Sequence, residues 1–309
     1  MEKVVSVLQC IVPIFVTVFL GVLARRKKMV TQNEVKGLQQ FVMQIGLPCV
    51  LFSSCLNADI STETVGTFAL VLPFMVIATL WAFKIGRKKY PFHNLPMLFC
   101  AQESGMLGIP LFMILFGADQ AYRMGILDIA QMPTAFPTIA ILTASVGVNP
   151  SKKEIGQKVL RSPLLIMSVL GLILNFSGIA AWLNGYGITG IITETTSFLA
   201  QPVSALMIFC VGYNFSMAKG HRKAIFQVSA LHLAWTAGFG GVIQLLLLLL
   251  PNVDPLTRWS VLLYTTLPAS YLAPSLGRSE EDYALASGAC SILTVVSLAV
   301  FCVMAIIIA

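Results

Sequence analysis

The fold of this chain is decided by Gln102-Glu103-Ser104-Gly105-Met106-Leu107-Gly108-Ile109-Pro110, a polar, glycine-rich stretch inside a long apolar segment. A carboxylate at membrane depth is costly, and glycine and proline at this spacing interrupt a helix. Backbone that leaves helical pairing inside a bilayer persists only where protein or a water-filled cavity satisfies it. In secondary transporters, broken helices of this kind mark the substrate site near the middle of the membrane. The stretch therefore predicts a membrane transporter.

The composition is typical of a membrane protein. Hydrophobic residues make up 57% of the 309 residues and charged residues only 11%, whereas a soluble domain carries roughly a quarter charged residues. The apolar residues form runs of about 20, which is the span of a bilayer core. We predict an all-α polytopic membrane protein with ten transmembrane helices, at about 4–24, 37–57, 64–83, 95–117, 122–147, 162–182, 190–216, 224–250, 257–276 and 283–308.

Basic residues alternate between the predicted connections. Seventeen of the twenty Lys and Arg lie in or beside the first, third, fifth, seventh and ninth connections, and the other three are Lys3, Arg123 and Arg258. The positive-inside rule then predicts a multi-pass protein of the plasma membrane with both termini extracytoplasmic. The net charge of +7 faces anionic lipids on the cytoplasmic side, so we expect membrane lipids as partners and no nucleic acid.

The two halves of the chain carry similar motifs. Pro13-x6-Leu20-Gly21 recurs as Pro163-x6-Leu170-Gly171, an offset of 150 residues, and Pro48 in the second segment corresponds to Pro202 in the seventh. The fourth segment is broken over Gly105–Pro110 and the ninth over Pro268–Pro274. Because five helices is an odd number, the second half must enter the membrane from the opposite side. We predict two inverted five-helix repeats, residues 1–150 and 151–309, with discontinuous helices 4 and 9.

These motifs resemble the auxin efflux carrier family, which includes plant PIN auxin exporters and bacterial malate and malonate permeases. The resemblance covers essentially the whole chain and rests on Gly46-Leu47-Pro48, Gly105–Leu111, Ser162-Pro163, Pro202–Gly212 and Leu267-Pro268-Ala269. It implies that helices 4 and 9 cross, as in bile-acid symporters and sodium/proton antiporters. It also implies elevator-type alternating access, with helices 1, 2, 6 and 7 as the scaffold side, and an anionic organic substrate near the crossing.

The chain departs from the family pattern at the expected binding point. Glu103 stands where many relatives carry asparagine. In the ninth segment many relatives have asparagine after the first proline, whereas this chain has Ser270 and Tyr271 there. The resemblance therefore does not assign malate or auxin as the substrate.

The predicted substrate site combines polar residues of the two breaks and of the second segment: Gln102, Glu103, Ser104, Gly105, Ser270, Tyr271, Ser53 and Ser54. The backbone of the crossing is predicted to be formed by Gly108, Pro110, Pro268 and Pro274. Glu103 has two interpretations, a carboxylate that faces substrate or carries a proton, and one that holds the broken backbone without touching substrate. Ser53 and Ser54 are also open between lining the cavity and hydrogen bonding in the core.

The candidates for coupling to an ion are Glu103, Asp128 and Gln131. For Asp128 and Gln131, a coupling role and a plain interhelical hydrogen bond are both open, and His232 is expected to hydrogen bond between helices. Protons and Na⁺ are both open as the coupling ion. The sequence contains no metal-ligand spacing among its cysteines, no cofactor motif and no catalytic constellation. We therefore expect no cofactor, no bound metal and no enzymatic activity.

Two functions remain. The first is a secondary transporter of small organic anions, and the second is a transporter-like sensor or ligand-binding module that moves nothing. The paired breaks favour transport, because alternating access needs both. Assembly as a homodimer is open.

Overall fold

The computed structural model describes residues 2–58, 62–144, 157, 160–215, 221–249 and 253–308, and most of these residues are helical. In the first half the helices are α1 (Glu2–Arg26), α2 (Gln32–Phe41), α3 (Leu47–Leu56), α4 (Thr62–Trp81), α5 (Arg87–Lys89), α6 (Met97–Cys100), α7 (Ile109–Phe116) and α8 (Ala121–Ala144). In the second half they are α9 (Pro163–Phe176), α10 (Ile179–Gly185), α11 (Ile188–Ala200), α12 (Val203–Asn214), α13 (Arg222–Leu249), α14 (Pro255–Thr266) and α15 (Glu280–Ile308).

The long helices are those of a membrane protein. Within the described residues, seven helices are long and apolar enough to cross a bilayer: Val7–Arg26, Gln32–Leu56, Gly66–Lys89, Ala118–Thr143, Ile188–Asn214, Arg222–Leu249 and Glu280–Ile308. The pair α9 and α10, bent by 74°, is an eighth candidate. The predicted fourth and ninth segments fall short of this length because each is broken. The prediction of an all-α polytopic membrane protein is confirmed, whereas the number of ten spans stays a prediction.

Two close helix contacts are made by glycines that share a position in the two halves. On α1, a Cβ added to Gly21 would lie 2.2 Å from the Phe209 carbonyl oxygen of α12. On α9, a Cβ added to Gly171 would lie 2.6 Å from the Phe52 carbonyl oxygen of α3. Only glycine allows the backbones of membrane helices to approach this closely. The first helix of each half therefore packs on a helix of the other half through an equivalent residue.

Two further helix pairs occupy matching places in the predicted repeats and form a second group. Helix α4 packs on α8, and helix α13 packs on α15. In the predicted repeats these are the third and fifth segments of one half and the eighth and tenth of the other. The broken segments lie beside these pairs, where the largest fully buried side chains include Phe112, Phe239, Tyr264 and Phe301.

The break in the fourth segment is not where the sequence predicted it. The non-helical residues are 101–103, whereas Ser104–Gly108 form a π-helix that leads directly into α7. In this wide turn the Ile109 N–H bonds to the Ser104 carbonyl. Pro110 has no N–H to donate and follows this turn directly, so the α-helical hydrogen-bond pattern is interrupted where the helix widens. Gly105–Pro110 is therefore helical, and the chain is extended just before it.

The ninth segment is broken over its predicted range and does not resume as an α-helix. Helix α14 ends at Thr266. The residues after it are not helical up to Ser270, and a turn at Tyr271 and Leu272 then leads into a single 3₁₀ turn at Ala273–Leu276. Two prolines, Pro268 and Pro274, leave too few residues between them for another helix. The predicted boundary between the halves, after residue 150, and the basic residues Lys152, Lys153, Lys158 and Lys219 lie outside the described residues.

Candidate functional site

The two broken segments pair with each other through their backbones. Gln102 and Ala269 form an isolated antiparallel bridge. The Glu103 N–H donates to the Pro268 carbonyl at 2.8 Å, and the Ser270 N–H donates to the Ala101 carbonyl at 3.1 Å. Extended backbone in a membrane requires such partners, because lipid offers none. Each break therefore supplies the hydrogen bonds that the other lacks.

Glu103 ties the two breaks together with its carboxylate. Oε2 accepts a hydrogen bond from the Tyr271 N–H at 2.6 Å, and Oε1 accepts one from the Met106 N–H at 3.3 Å. The side chain thus caps the helical stretch that begins at Ser104, where a negative charge is favoured by the helix dipole. Glu103 is buried, with 8% of its surface exposed. Both of its oxygens are engaged by backbone donors from opposite sides of the site.

Behind the first break, a second carboxylate belongs to a dense polar cluster. Asp128 Oδ1 accepts hydrogen bonds from the Ser104 hydroxyl and, at 2.9 Å, from Gln131 Nε2. Among the residues that the structure describes, Asp128 Oδ2 has no hydrogen-bond partner, and the side chain is half-buried. Asp128 therefore keeps one oxygen available for a proton or a ligand.

Both polar atoms of the Gln131 side chain are engaged in hydrogen bonds to neighbouring segments. Its Nε2 also donates to the Gln102 carbonyl at 3.0 Å and lies 2.9 Å from the Ser104 hydroxyl. Its Oε1 accepts from the Gln102 N–H at 2.7 Å and from the Tyr264 hydroxyl at 2.8 Å. The fifth and ninth segments are thereby joined at the first break. The interhelical hydrogen bond expected as one alternative for Gln131 is present.

Gln102 and His232 extend the network towards α13. With the amide nitrogen facing its acceptors, Gln102 donates to His232 Nε2 at 3.2 Å and to the carbonyls of Leu267 at 3.0 Å and Pro268 at 3.2 Å. His232 Nδ1 lies 2.8 Å from the Leu98 carbonyl. The hydrogen-bond network thus assigns the imidazole proton to Nδ1 and makes Nε2 an acceptor. His232 links the eighth segment to the fourth.

The side chains of the second break point away from the carboxylates. The Tyr271 hydroxyl lies 2.7 Å from the Thr294 hydroxyl of α15. The Ser270 hydroxyl accepts a long bond, 3.4 Å, from the Leu272 N–H. The second break therefore contributes mainly backbone groups to the site.

The predicted backbone residues of the crossing are all in or beside the two breaks. Pro268 provides the carbonyl that accepts from Glu103, Pro110 is buried in the first turn of α7, and Pro274 lies in the 3₁₀ turn. A Cβ on Gly108 would lie 2.6 Å from the Leu267 side chain, whereas one on Gly105 would meet only Met43, at 3.6 Å. A side chain at Gly108, unlike one at Gly105, would therefore force the Leu267 side chain to move.

Ser53 and Ser54 lie at a different place from the paired breaks. They line a cavity of about 210 Å³ between α3, α11 and the turn after α7, together with Asp119, Thr196 and Gln201. The Ser54 hydroxyl donates to the Asp119 carbonyl and accepts from the Tyr122 N–H, both at 2.8 Å. Core hydrogen bonding, the second interpretation of Ser54, is therefore present. Among the described residues, no side-chain hydrogen bond joins these serines to the polar residues of the breaks.

Two buried groups were not anticipated from the sequence. Tyr264 is a polar residue four positions before Pro268 in an apolar segment, which is the sequence signal that could have pointed to it. Arg123, which the charge pattern only counts among the three basic residues outside the odd-numbered connections, is buried and bonded to Asp254 and Thr257. It fastens the start of α8 to the start of α14. Within the described residues, no group of three His, Cys, Asp or Glu side chains could hold a metal ion.

The comparisons with known proteins point to transport. A family described as membrane transport protein matches residues 6–154. The chain is also similar to an uncharacterized transporter of Methanothermobacter thermautotrophicus, strain Delta H, with 22% identity over 253 residues. That alignment covers 76% of this chain and 80% of the relative.

Proposed function

We propose that the chain is a secondary transporter of small organic anions of the auxin efflux carrier family. Its similarity over residues 6–154 to the family described as membrane transport protein supports this. The observation that carries the proposal is the pairing of two broken segments from the two halves of the chain, with carboxylates at the pairing point. In secondary transporters such breaks form the substrate site.

The Glu103 carboxylate occupies the position in which the carboxylate of a substrate would bind. The N–H groups of Met106 and Tyr271 both donate to the Glu103 carboxylate. The same two donors would bind the carboxylate of a substrate, as backbone N–H groups at helix ends do. Protonation of Glu103 would weaken its hold on these donors and remove its repulsion of an anion. We therefore propose that substrate and proton enter the site together.

Asp128 is the second candidate for carrying the proton. It approaches Glu103 through Ser104, and only one of its oxygens is engaged by described residues. Gln131 has no titratable group and serves to hold Asp128 in place. Sodium coupling is the alternative, since the carboxylate oxygens of Glu103 and Asp128 and the hydroxyl oxygen of Ser104 are hard ligands.

The proposed mechanism is elevator-type alternating access with ten spans in two inverted repeats. Supporting it, Gly21 and Gly171 make equivalent contacts on the scaffold side, and the pairs α4–α8 and α13–α15 are equivalent on the other side. The paired breaks belong to the second group, which would carry the substrate. A plasma-membrane location and assembly as a homodimer stay part of the proposal.

Flux in proteoliposomes tests the function. Purified protein is reconstituted with a panel of small mono- and dicarboxylates, with and without an inward proton gradient. We expect saturable uptake of at least one carboxylate, stimulated by the gradient. Glu103→Gln and Asp128→Asn remove one titratable group each, and Glu194→Gln is the matched control on an exposed position of α11. We expect Glu103→Gln to abolish the proton dependence, Asp128→Asn to weaken it, and Glu194→Gln to behave as the native chain.

The sensor alternative makes a different prediction. Carboxylates that raise the melting temperature of the purified protein, but are never taken up by proteoliposomes, would favour a ligand-binding module over a transporter. A native-like pH profile in both Glu103→Gln and Asp128→Asn would exclude proton coupling through these residues. Stabilisation by Na⁺ that is lost in Glu103→Gln would favour sodium instead.

The proposed orientation is tested at two exposed positions. Met29 follows α1 and Tyr186 follows α10, with 72% and 68% of their surfaces exposed. With both termini extracytoplasmic, a membrane-impermeant maleimide should label Tyr186→Cys in intact cells and Met29→Cys only after permeabilisation, each compared with the native chain. The opposite pattern would reverse the assigned topology and the entry side of the substrate.

A further inference from the structure

A basic cleft lies at the ends of two membrane-spanning helices, away from the paired breaks. It has a volume of about 460 Å³ and is lined by residues 89–92 after α5 and by residues 221–224 and Gln227 at the start of α13. Three of the lining residues are cations, namely Lys89, Arg222 and Lys223. All three are exposed, and none of them forms a salt bridge with another residue in the described part of the chain.

The cleft lacks a carboxylate among its lining residues. Glu281 Oε1 lies 3.6 Å from His221 Nε2, so one carboxylate stands beside the cleft against its three cations. The cleft thus keeps an excess of positive charge. Uncompensated cations clustered around a cavity create a local field that attracts anions.

The aromatic residues of the cleft suit a position at the membrane surface. Tyr90 and Phe92 line it, the Lys89 ammonium lies 5.5 Å from the centre of the Tyr90 ring, and the Phe92 ring packs edge-on against His221. Tyrosine with lysine is typical of residues at the headgroup level of a bilayer. The candidate span Gly66–Lys89 ends at the cleft, and the candidate span Arg222–Leu249 begins there. The cleft therefore opens at the level of the lipid headgroups.

We propose that this cleft is a specific binding site for a phosphate-bearing anion, supplied by the headgroup of an anionic phospholipid. Lys89 and Arg222 would approach the phosphate from two different helices, with Lys223 beside them. The first turn of α13 would add its backbone dipole in the favourable sense. The site is separate from the paired breaks, so it does not depend on the proposed transport function. Soluble phosphate has the same chemistry and is the other source of the ligand.

The test measures lipid binding by the whole purified chain in detergent. Its melting temperature and its lipid adducts in native mass spectrometry are recorded with phosphatidylglycerol, with zwitterionic phosphatidylcholine, and with inorganic phosphate. The variant is Lys89→Gln/Arg222→Gln/Lys223→Gln. The matched control is Arg26→Gln/Lys27→Gln/Lys28→Gln, which removes three equally exposed charges at the end of α1. All six side chains are exposed, so both variants should fold, and monodisperse elution verifies this.

We expect phosphatidylglycerol to stabilise the native chain and the control, and its affinity for the cleft variant to fall at least about tenfold, since each basic residue near an anionic surface strengthens binding about fivefold. Stabilisation by inorganic phosphate, lost in the same variant, would assign the site to a soluble phosphate. Equal losses in both triple variants, or no loss in either, would overturn a specific site. Stabilisation by phosphatidylcholine equal to that by phosphatidylglycerol would do so as well.

Discussion

The two breaks that pair at the centre of the molecule are built differently. The first, at 101–103, is short, returns at once to a helix, and carries the side chains of Gln102, Glu103 and Ser104 into the site. The second, after Thr266, is longer and carries two prolines. It offers the site mainly backbone groups, the Pro268 carbonyl and the N–H groups of Ser270 and Tyr271.

This difference indicates whether side-chain chemistry or backbone conformation is constrained in each break. Function at the first break depends on side-chain chemistry, because its carboxylate and amide make the connections. Function at the second depends on backbone conformation, because its prolines keep the chain extended and its N–H groups in place. Substitutions of side chains should therefore be costly in the first break and tolerated in the second.

The largest effect is expected from Glu103→Ala. This change leaves the N–H groups of Met106 and Tyr271 without their acceptor in a buried site. Two hydrogen bonds to a charged group are lost, so we expect the free energy of unfolding to fall by about 3 kcal/mol or more. Unfolding of the purified protein by heat or denaturant measures the loss. A variant as stable as the native chain would show that the carboxylate does not hold the breaks together.

A matched pair of serines gives the sharpest comparison. Ser104→Ala removes the hydroxyl that donates to Asp128 and lies 2.9 Å from Gln131, whereas Ser270→Ala removes one that accepts only a 3.4 Å bond. We expect Ser104→Ala to cost about 2 kcal/mol of stability and Ser270→Ala less than about 0.5 kcal/mol. Melting temperatures of both variants under one condition provide the test. Equal losses would remove the distinction between the two breaks.

The smallest effect concerns a link between the two segments that lies outside the membrane. Burial lowers the pKa of His93, and the nearby cations Arg278 and Arg87 lower it further. A hydrogen bond to the Leu142 carbonyl and the carboxylate of Asp282 act in the opposite direction. As the pH falls, the His93 imidazole therefore takes up its proton at a higher pH in the unfolded chain than in the folded chain. Stability should decline on acidification below about pH 6.5, the ordinary pKa of histidine, and be restored above it.

His93→Gln is the control for that decline. Melting temperatures between pH 5 and 8, a range that brackets the ordinary pKa of about 6.5, should decrease more steeply on acidification in the native chain than in the variant. The His93 N–H donates to Asp282 at 2.8 Å through the backbone, so the variant keeps this bond. Parallel pH profiles would show that protonation of His93 does not loosen the contact between the loops that flank the breaks.

Much of this architecture could be predicted from local sequence. Glu103 among apolar residues and the proline pair of the ninth segment indicated two broken helices because each breaks a local rule for membrane helices. The position of the first break could not be predicted, since the hydrogen bonds that hold Ala101 and Glu103 outside a helix come from Ser270 and Pro268. That pairing is a long-range contact with no local signal.

The site residues show the same limit. Asp128 and Gln131 were found as polar residues at membrane depth, and the structure brings both to the first break. Ser53 and Ser54 have the same character in sequence, yet they line a separate cavity. Polarity within an apolar segment therefore identifies a buried hydrogen bond, whereas the partner is decided by how the helices pack.

The backbone pairing of the two breaks also has a consequence for biosynthesis. Tyr271, which donates to Glu103, is synthesised 168 residues after it. Until then the fourth segment enters the lipid with an acidic side chain and extended backbone that lack their final partners, a costly state in hydrocarbon. We therefore expect the nascent first half to remain with the insertion machinery or other protein until the ninth segment is made, and a truncated product that ends before it to be poorly inserted.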